Sequence, residues 1–191
     1  ASPLWTSAMN DSLSFSNLIY SGGKIYSRAH RNLYCYNTTD GSLHWQTDIQ
    51  QPSFKNSYSF FEGDKLILVK VENNKYTTVV LSTTTGSIIK TTTLMVPTQL
   101  TIPANAHRSC NYSNNTLYVT SAHNQDSVSI KAYDLLTASI KWEKYYAMYY
   151  FAYFDPVLTN KYLIFPINNS YPVGKSLMYF LDLNGKYLTS I

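Results

Sequence analysis

The sequence predicts an all-β chain made of about four copies of a four-stranded antiparallel sheet. Of its 191 residues, 14% are charged, 45% are hydrophobic and 18 are tyrosine, a composition that suits strands better than helices. Apolar and polar residues alternate with period two, and no helical period is sustained. A short turn recurs at intervals of 45, 52 and 47 residues, at Gly41, Gly86, Ala138 and Gly185. Because that spacing is the length of one propeller blade, we expect a β-propeller.

Each repeat contains an outer hairpin that is closed by this turn. The clearest copy spans residues 33–45 and ends at Trp45, and the third spans residues 130–142 and ends at Trp142. The second copy, residues 79–90, lacks the Trp, and the fourth, residues 178–188, has a turn one residue shorter. Glycine suits the turn because it takes positive φ angles without steric cost. We therefore expect Ala138 to carry either a different turn or some strain.

Two further strands precede each hairpin and complete a blade. They are predicted at residues 14–20 and 24–27, 57–61 and 65–69, 109–112 and 116–119, and 149–155 and 161–165. The joins are rich in Gly, Asn, Asp and Ser, which favour tight turns. The predicted blades span residues 9–50, 51–97, 98–146 and 147–191, within a single propeller domain or arc over residues 1–191.

The hairpin motif, an apolar residue followed by Asp or Asn, then Thr-Gly and a Trp four residues after the Gly, resembles the blade repeat of the PQQ-like (quinoprotein-type) β-propellers. The resemblance covers nearly the whole chain and is strongest in the first and third repeats. In that family the repeated Trp docks on the neighbouring blade near its turn. The resemblance therefore implies structural, blade-docking roles for Trp5, Trp45, Trp142, Gly41, Gly86 and Gly185.

Trp5 lies 40 residues before Trp45, in a segment that we interpret as an orphan outer strand over residues 1–8. Propellers of this family often use an N-terminal strand to complete the last blade. Two arrangements remain open. The chain is either the leading part of a larger ring, which we favour, or a closed ring of four blades in which residues 4–8 displace or flank the C-terminal strand.

The resemblance also implies what a catalytic member would need: a calcium site, a general-base Asp and often two adjacent cysteines. Here Cys35 and Cys110 are 75 residues apart, and the eleven carboxylates are scattered. The four histidines share no metal-ligand spacing, and no nucleophile elbow or phosphate loop occurs. We therefore expect no catalytic residues, no metal and no cofactor. Both cysteines are interpreted as buried free thiols in preference to a disulfide.

Residues 145–154 form the most unusual segment, with seven aromatic residues in ten. Tyrosine stacks on sugars and anchors protein partners at low entropic cost, so the segment is a candidate binding rim. The alternative is that these rings form core between blades. The candidate rim residues are Tyr145, Tyr146, Tyr149, Tyr150 and Tyr153.

The net charge of the chain and its N-glycosylation sequons indicate which partners and which cellular location to expect. The net charge of +4 is dispersed, which argues against a nucleic-acid partner, and no apolar run is long enough to span a membrane. Five Asn-x-Ser/Thr sequons are candidate N-glycosylation sites and a mild indication of a secreted or luminal, extracytoplasmic chain. They begin at Asn10, Asn37, Asn111, Asn114 and Asn168.

Three functions are compatible with these patterns. The leading hypothesis is a non-catalytic secreted or luminal scaffold that mediates protein–protein interaction or assembly. The first alternative is a carbohydrate-binding propeller that uses the Tyr-rich rim. The second alternative is a fragment of a PQQ-dependent dehydrogenase.

Overall fold

The fold is all-β, as predicted, and consists of four-stranded antiparallel propeller blades. The computed structural model describes residues 18–29, 31–50, 57–72, 75–95, 108–123, 127–147, 156–169 and 175–191. Within these ranges every sheet follows the order of the chain. The strands are β1 (Ile19–Ser21), β2 (Lys24–Ala29), β3 (Asn32–Asn37) and β4 (Leu43–Asp48); β5 (Ser57–Glu62), β6 (Lys65–Glu72), β7 (Lys75–Ser82) and β8 (Ile88–Met95); β9 (Arg108–Ser113), β10 (Thr116–His123), β11 (Ser127–Asp134) and β12 (Ser139–Ala147); and β13 (Val157–Leu158), β14 (Tyr162–Asn169), β15 (Lys175–Asp182) and β16 (Tyr187–Ser190).

The predicted and observed strands differ mainly at the inner edges of the first and fourth sheets. The first sheet begins at Ile19, and residues 14–17 of the predicted strand lie outside the described residues. The predicted strand at residues 149–155 also lies outside them, and the fourth sheet begins with the two-residue strand β13.

The outer turns of the first two sheets share one hydrogen-bonded geometry. Gly41 N donates to Asn37 O at 2.9 Å, and Gly86 N donates to Ser82 O at the same distance. In the fourth sheet Asp182 N donates to Lys186 O at 2.9 Å, which closes the shorter turn that the sequence predicts. Ala138 takes a φ of 56°, so it adopts the left-handed conformation in spite of its Cβ. Of the two expectations for Ala138, the strained turn is therefore the one observed.

A β-bulge follows the outer turn in three of the sheets. In the first sheet Cys35 lies opposite Trp45 and Tyr36 lies opposite Leu43, so His44 is the extra residue. The same shift leaves Lys141 and Leu188 as extra residues in the third and fourth sheets. A bulge bends the strand and re-aims its side chains. Consequently, Trp45 is buried while Leu43 and His44 are exposed.

The chain divides into two compact units, Ala1–Thr93 and Leu94–Ile191. In the first unit one core cluster joins the first two sheets, with Tyr26 and Cys35 on one side and Leu66 and Leu81 on the other. The corresponding cluster of the second unit joins the third and fourth sheets and contains Tyr118, Ile130, Ala132, Leu163, Phe165 and Leu181. Each pair of blades therefore buries apolar faces that a single sheet would leave in water. The single domain over residues 1–191 stays a prediction.

Candidate functional site

Trp45 lies against the outer turn of the second sheet. Its indole Nε1 donates to Thr83 O at 2.9 Å, and a Cβ added to Gly86 would lie 2.6 Å from Trp45 Cδ2. The next inward-facing residue of β4 adds a second bond, since Thr47 Oγ1 donates to Gly86 O at 2.6 Å. The outer strand of the first blade is thus hydrogen-bonded to the turn of the second, and Gly86 leaves the space that the indole fills.

Trp142 repeats this arrangement in the second unit. Its Nε1 donates to Leu183 O at 3.0 Å, and a Cβ added to Gly185 would lie 2.6 Å from Trp142 Cδ2. Tyr118 packs beside the indole, with ring centroids 6.0 Å apart. The blade-docking roles of these tryptophans and glycines concern how much each residue stabilises the fold. They remain predictions, which substitution of the residues can test.

The other two outer turns differ in their surroundings. Gly41 is buried with a φ of 70°, whereas Ala138 is exposed. Trp5 lies outside the described residues, so the structure does not describe its predicted docking. The two described indoles lie on Gly86 and Gly185, and neither lies on Ala138. The methyl group of Ala138 is accommodated at an exposed turn, against which neither described indole packs.

Two of the candidate rim residues are described, and they lie in different environments. The ring of Tyr145 is exposed, and its hydroxyl donates to Glu143 Oε1 at 2.5 Å. This hydrogen bond, together with partial burial and the carboxylate charge, raises the pKa of Tyr145 to about 12. The same carboxyl oxygen forms an ion pair with Lys131 Nζ at 2.5 Å, and Lys131 is buried.

Tyr146 packs inside the second unit. Its ring centroid lies 5.0 Å from that of Phe165 and 5.5 Å from that of Tyr179. Burial, followed by the nearby Tyr179 and Tyr187 hydroxyls, raises the pKa of Tyr146. Tyr149, Tyr150 and Tyr153 lie outside the described residues. The described part of the segment therefore contributes one exposed ring and one ring that packs between blades, and the binding rim remains a prediction.

The sequence analysis missed a surface feature that recurs in every sheet. Two positions after each outer-turn residue stands a large apolar side chain that is roughly half exposed: Leu43 at 51%, Ile88 at 43%, Ile140 at 41% and Tyr187 at 49%. The signal was present as an apolar residue at the same place in each repeat. Its exposure was not predicted, because a bulge such as those beside Leu43, Ile140 and Tyr187 is not visible in an alternating pattern.

Cysteines and acidic residues add no reactive cluster to the described ranges. Cys35 and Cys110 are buried free thiols, as predicted, and burial raises the pKa of Cys35. In the part of the chain that the structure describes, no three His, Cys, Asp or Glu side chains come together in a way that could hold a metal. The same residues contain no helix long and apolar enough to cross a membrane.

The sequons occupy contrasting positions. Asn37 and Asn111 are half-buried, and Asn114 is exposed in the turn between β9 and β10. Asn168 lies in β14, whereas Asn10 lies outside the described residues.

Comparison with known proteins supports the fold and identifies the family. The solved structure entitled "Structure of Dos1 propeller" matches with a TM-score of 0.53 and 16% identity, covering 93% of this chain and 47% of that one. The WD40 domain of SCAP from fission yeast matches at 12% identity with a TM-score of 0.49, covering 93% of this chain and 44% of that one. The chain thus spans less than half the length of either structure, and at 16% identity the match to the Dos1 propeller shows the fold alone.

A search of curated proteins finds no match. A family model described as outer membrane protein assembly factor BamB matches residues 2–148, which include the first three predicted blades completely. The Trp-to-turn docking described above recurs within both units. The chain belongs to this BamB family of PQQ-like repeat proteins.

Proposed function

We propose that this chain is a non-catalytic, extracytoplasmic scaffold that binds another protein through the outer strands of its blades. A propeller fold with BamB-like repeats suggests a protein-interaction or scaffold role. The observation that carries the proposal is the recurring set of half-exposed residues Leu43, Ile88, Ile140 and Tyr187, which we call the outer-strand set. Apolar side chains exposed at equivalent positions of every repeat are typical of an interaction surface.

The outer strands also determine how a partner would bind. Among the described strands, β4, β8, β12 and β16 each stand last in their sheets, where backbone groups can pair with an added strand. However, three of them carry a bulge directly beside the exposed apolar residue. Bulges interrupt the ladder and discourage strand addition. The proposed contact is therefore made by projecting side chains packing on an apolar surface of the partner.

The extracytoplasmic part of the proposal is supported by the family description, which names an outer membrane assembly factor, and by the five sequons. Fractionation of the native source tests it. Recovery of the chain in a periplasmic, luminal or secreted fraction supports the placement, whereas recovery with cytosolic markers overturns it.

A four-site variant tests the binding surface. We expect Leu43→Ser, Ile88→Ser, Ile140→Ser and Tyr187→Ser together to weaken binding of a purified native partner by at least about tenfold, which is about 1.4 kcal/mol. The partner is first isolated from the native source as a complex of constant stoichiometry, and affinity is then measured by calorimetry.

The matched control replaces four apolar residues outside this set that are more exposed than its members. Leu18, Tyr20, Leu136 and Val157 are 59–71% exposed, and their joint substitution by Ser should leave affinity unchanged. Thermal melting of both variants verifies folding. Equal affinity of the four-site variant and the wild type, or a native chain that is monodisperse and carries no partner, contradicts the proposal.

A further inference from the structure

The structure distinguishes among the sequons, which look alike in the sequence. A glycan attached to Asn Nδ2 must project into solvent in the folded protein, because its hydroxyls cannot be buried without partners. The described sequons that can be compared by side-chain environment are those of Asn37, Asn111 and Asn114.

Asn114 meets the requirement for solvent. It is exposed at the end of the third sheet, in the turn between β9 and β10, with a φ of 54°. Asparagine is among the few residues that adopt this left-handed conformation readily, so the acceptor residue also suits the turn. A glycan at this position would extend away from the sheet and leave its ladder intact.

Asn37 and Asn111 are half-buried, and both side chains are hydrogen-bonded within the fold. Asn37 Nδ2 donates to Ser42 Oγ at 2.6 Å across the outer turn, and its Oδ1 accepts a hydrogen bond from Lys24 Nζ. Asn111 Nδ2 donates to Pro156 O at 3.0 Å, directly before β13. A sugar on Asn111 would force the segment at Pro156 away from β9.

A second observation concerns the surface beside Asn114. Leu135 N donates to Asn115 O at 2.9 Å, so the outer turn of the third sheet lies next to the Asn114 turn. The tip of that outer turn is Leu136, which is 63% exposed. The equivalent positions of the other three repeats are polar: Thr39, Thr84 and Asn184. Among Asn37, Asn111 and Asn114, the exposed sequon therefore lies beside the repeat that has an apolar turn tip.

We propose that Asn114 is an N-glycosylation site whose glycan covers Leu136, and that the folded protein carries no glycan at Asn37 or Asn111. The proposal depends on the extracytoplasmic part of the proposed function. Asn114 Nδ2 exchanges one hydrogen for a bond to C1 of N-acetylglucosamine. The C1–O bond to a lipid-linked pyrophosphate donor breaks, and the pyrophosphate leaves with the proton. Because Thr116, which completes the sequon, is buried, transfer precedes the pairing of β10.

Site mapping tests the proposal directly. The full chain is produced behind a cleavable secretory leader in eukaryotic cells, and the folded, secreted product is treated with peptide N-glycosidase in ¹⁸O water. We expect ¹⁸O-labelled aspartate at position 114 and none at positions 37 or 111. Asn114→Asp keeps a residue that tolerates the left-handed turn and should lose one glycan. Asn115→Gly, the matched control, keeps both the sequon and the turn and should retain it.

A second readout tests the role of the glycan. Enzymatic removal under native conditions should increase self-association in light scattering, and Leu136→Thr should abolish that increase. Absence of label at position 114, or label at position 111 in folded product, overturns the site assignment. Neither result bears on the binding role proposed for the outer-strand set, because the four-site variant that tests that role leaves every sequon unchanged. Unchanged self-association after glycan removal overturns the covering role.

Discussion

At the scale of single residues, the outer turns show two separate reasons why a turn position requires glycine. A positive φ is one reason, and Ala138 shows that an exposed turn tolerates the left-handed conformation with a methyl group present. Space is the other reason. At Gly86 and Gly185 an added Cβ would lie 2.6 Å from a tryptophan ring, closer than carbon atoms can approach. Glycine thus occurs at the two turns against which a described indole packs.

Replacing Gly86 should therefore cost more than conformational strain alone. We expect Gly86→Ala to lower the free energy of unfolding by about 3 kcal/mol, which combines left-handed strain with overpacking against Trp45. Gly63→Ala is the control, since Gly63 has a φ of 56° and no atom within 4 Å of the added Cβ. It should cost about 1 kcal/mol. Urea denaturation measures both values, and equal losses would show that the indole contact contributes nothing.

At the scale of elements, the pair β11–β12 contains a buried cross-strand ion pair. Lys131 lies opposite Glu143 in the register, with its ammonium group 2.5 Å from the carboxylate. The side chain of Lys131 is 7% exposed and that of Glu143 is 26% exposed. The carboxylate also accepts the Tyr145 hydroxyl. If the ion pair is broken, Glu143 therefore still reaches water and Tyr145, whereas the ammonium group of Lys131 stays buried.

The two ways of breaking this pair should have unequal costs. Glu143→Gln leaves a buried ammonium without its counter-charge and should lower the free energy of unfolding by about 3 kcal/mol. Lys131→Met leaves a carboxylate that reaches water and keeps the Tyr145 hydrogen bond, so it should cost less. Chemical denaturation at neutral pH measures both. In Glu143→Gln the pKa of Tyr145, followed by NMR, should also fall back towards its ordinary value of 10. A larger loss for Lys131→Met would contradict this account.

At the scale of the whole molecule, tyrosines couple stability to alkaline pH. Burial, with Cys35 nearby, raises the pKa of Tyr26 to about 12, and Tyr145 reaches a similar value through Glu143. Burial raises the pKa of Tyr118 and Tyr146 as well. Between pH 10 and 12 the folded chain therefore keeps protons that the unfolded chain has released, so these groups make stability fall as pH rises. Arg28 acts in the opposite sense, because burial lowers its pKa to about 10.

Stability should accordingly decline between pH 10 and 12, with the four tyrosines outweighing Arg28. Urea midpoints measured from pH 8 upward should show the decline. Tyr26→Phe removes one raised phenol and should make the decline shallower. Tyr20→Phe, at an exposed ring, is the control and should leave the slope unchanged. A slope that is identical in wild type and Tyr26→Phe would be inconsistent with a raised pKa at Tyr26.

Repeat spacing made most of the fold predictable from sequence. The outer turns at Gly41, Gly86, Ala138 and Gly185, and the shorter turn of the fourth repeat, were predicted because turn chemistry is local. The exposure of Leu43, Ile88, Ile140 and Tyr187 was not predicted. At Leu43, Ile140 and Tyr187 the reason is a bulge, which changes direction without changing the alternation of residue types. The Tyr145–Glu143–Lys131 contacts were also missed, since they depend on cross-strand register.

By itself the sequence determined the all-β class, the four repeats and the PQQ-like family resemblance, because these follow from periodicity and from local backbone preferences. The tertiary structure decided which turn each described Trp contacts, why Ala138 is tolerated where Gly86 is required, and which sequon projects into solvent. Those properties depend on burial and on distances between residues that lie far apart along the chain, such as the 2.9 Å from Trp45 Nε1 to Thr83 O. Local patterns do not specify such distances, because they are set only when sheets pack on one another.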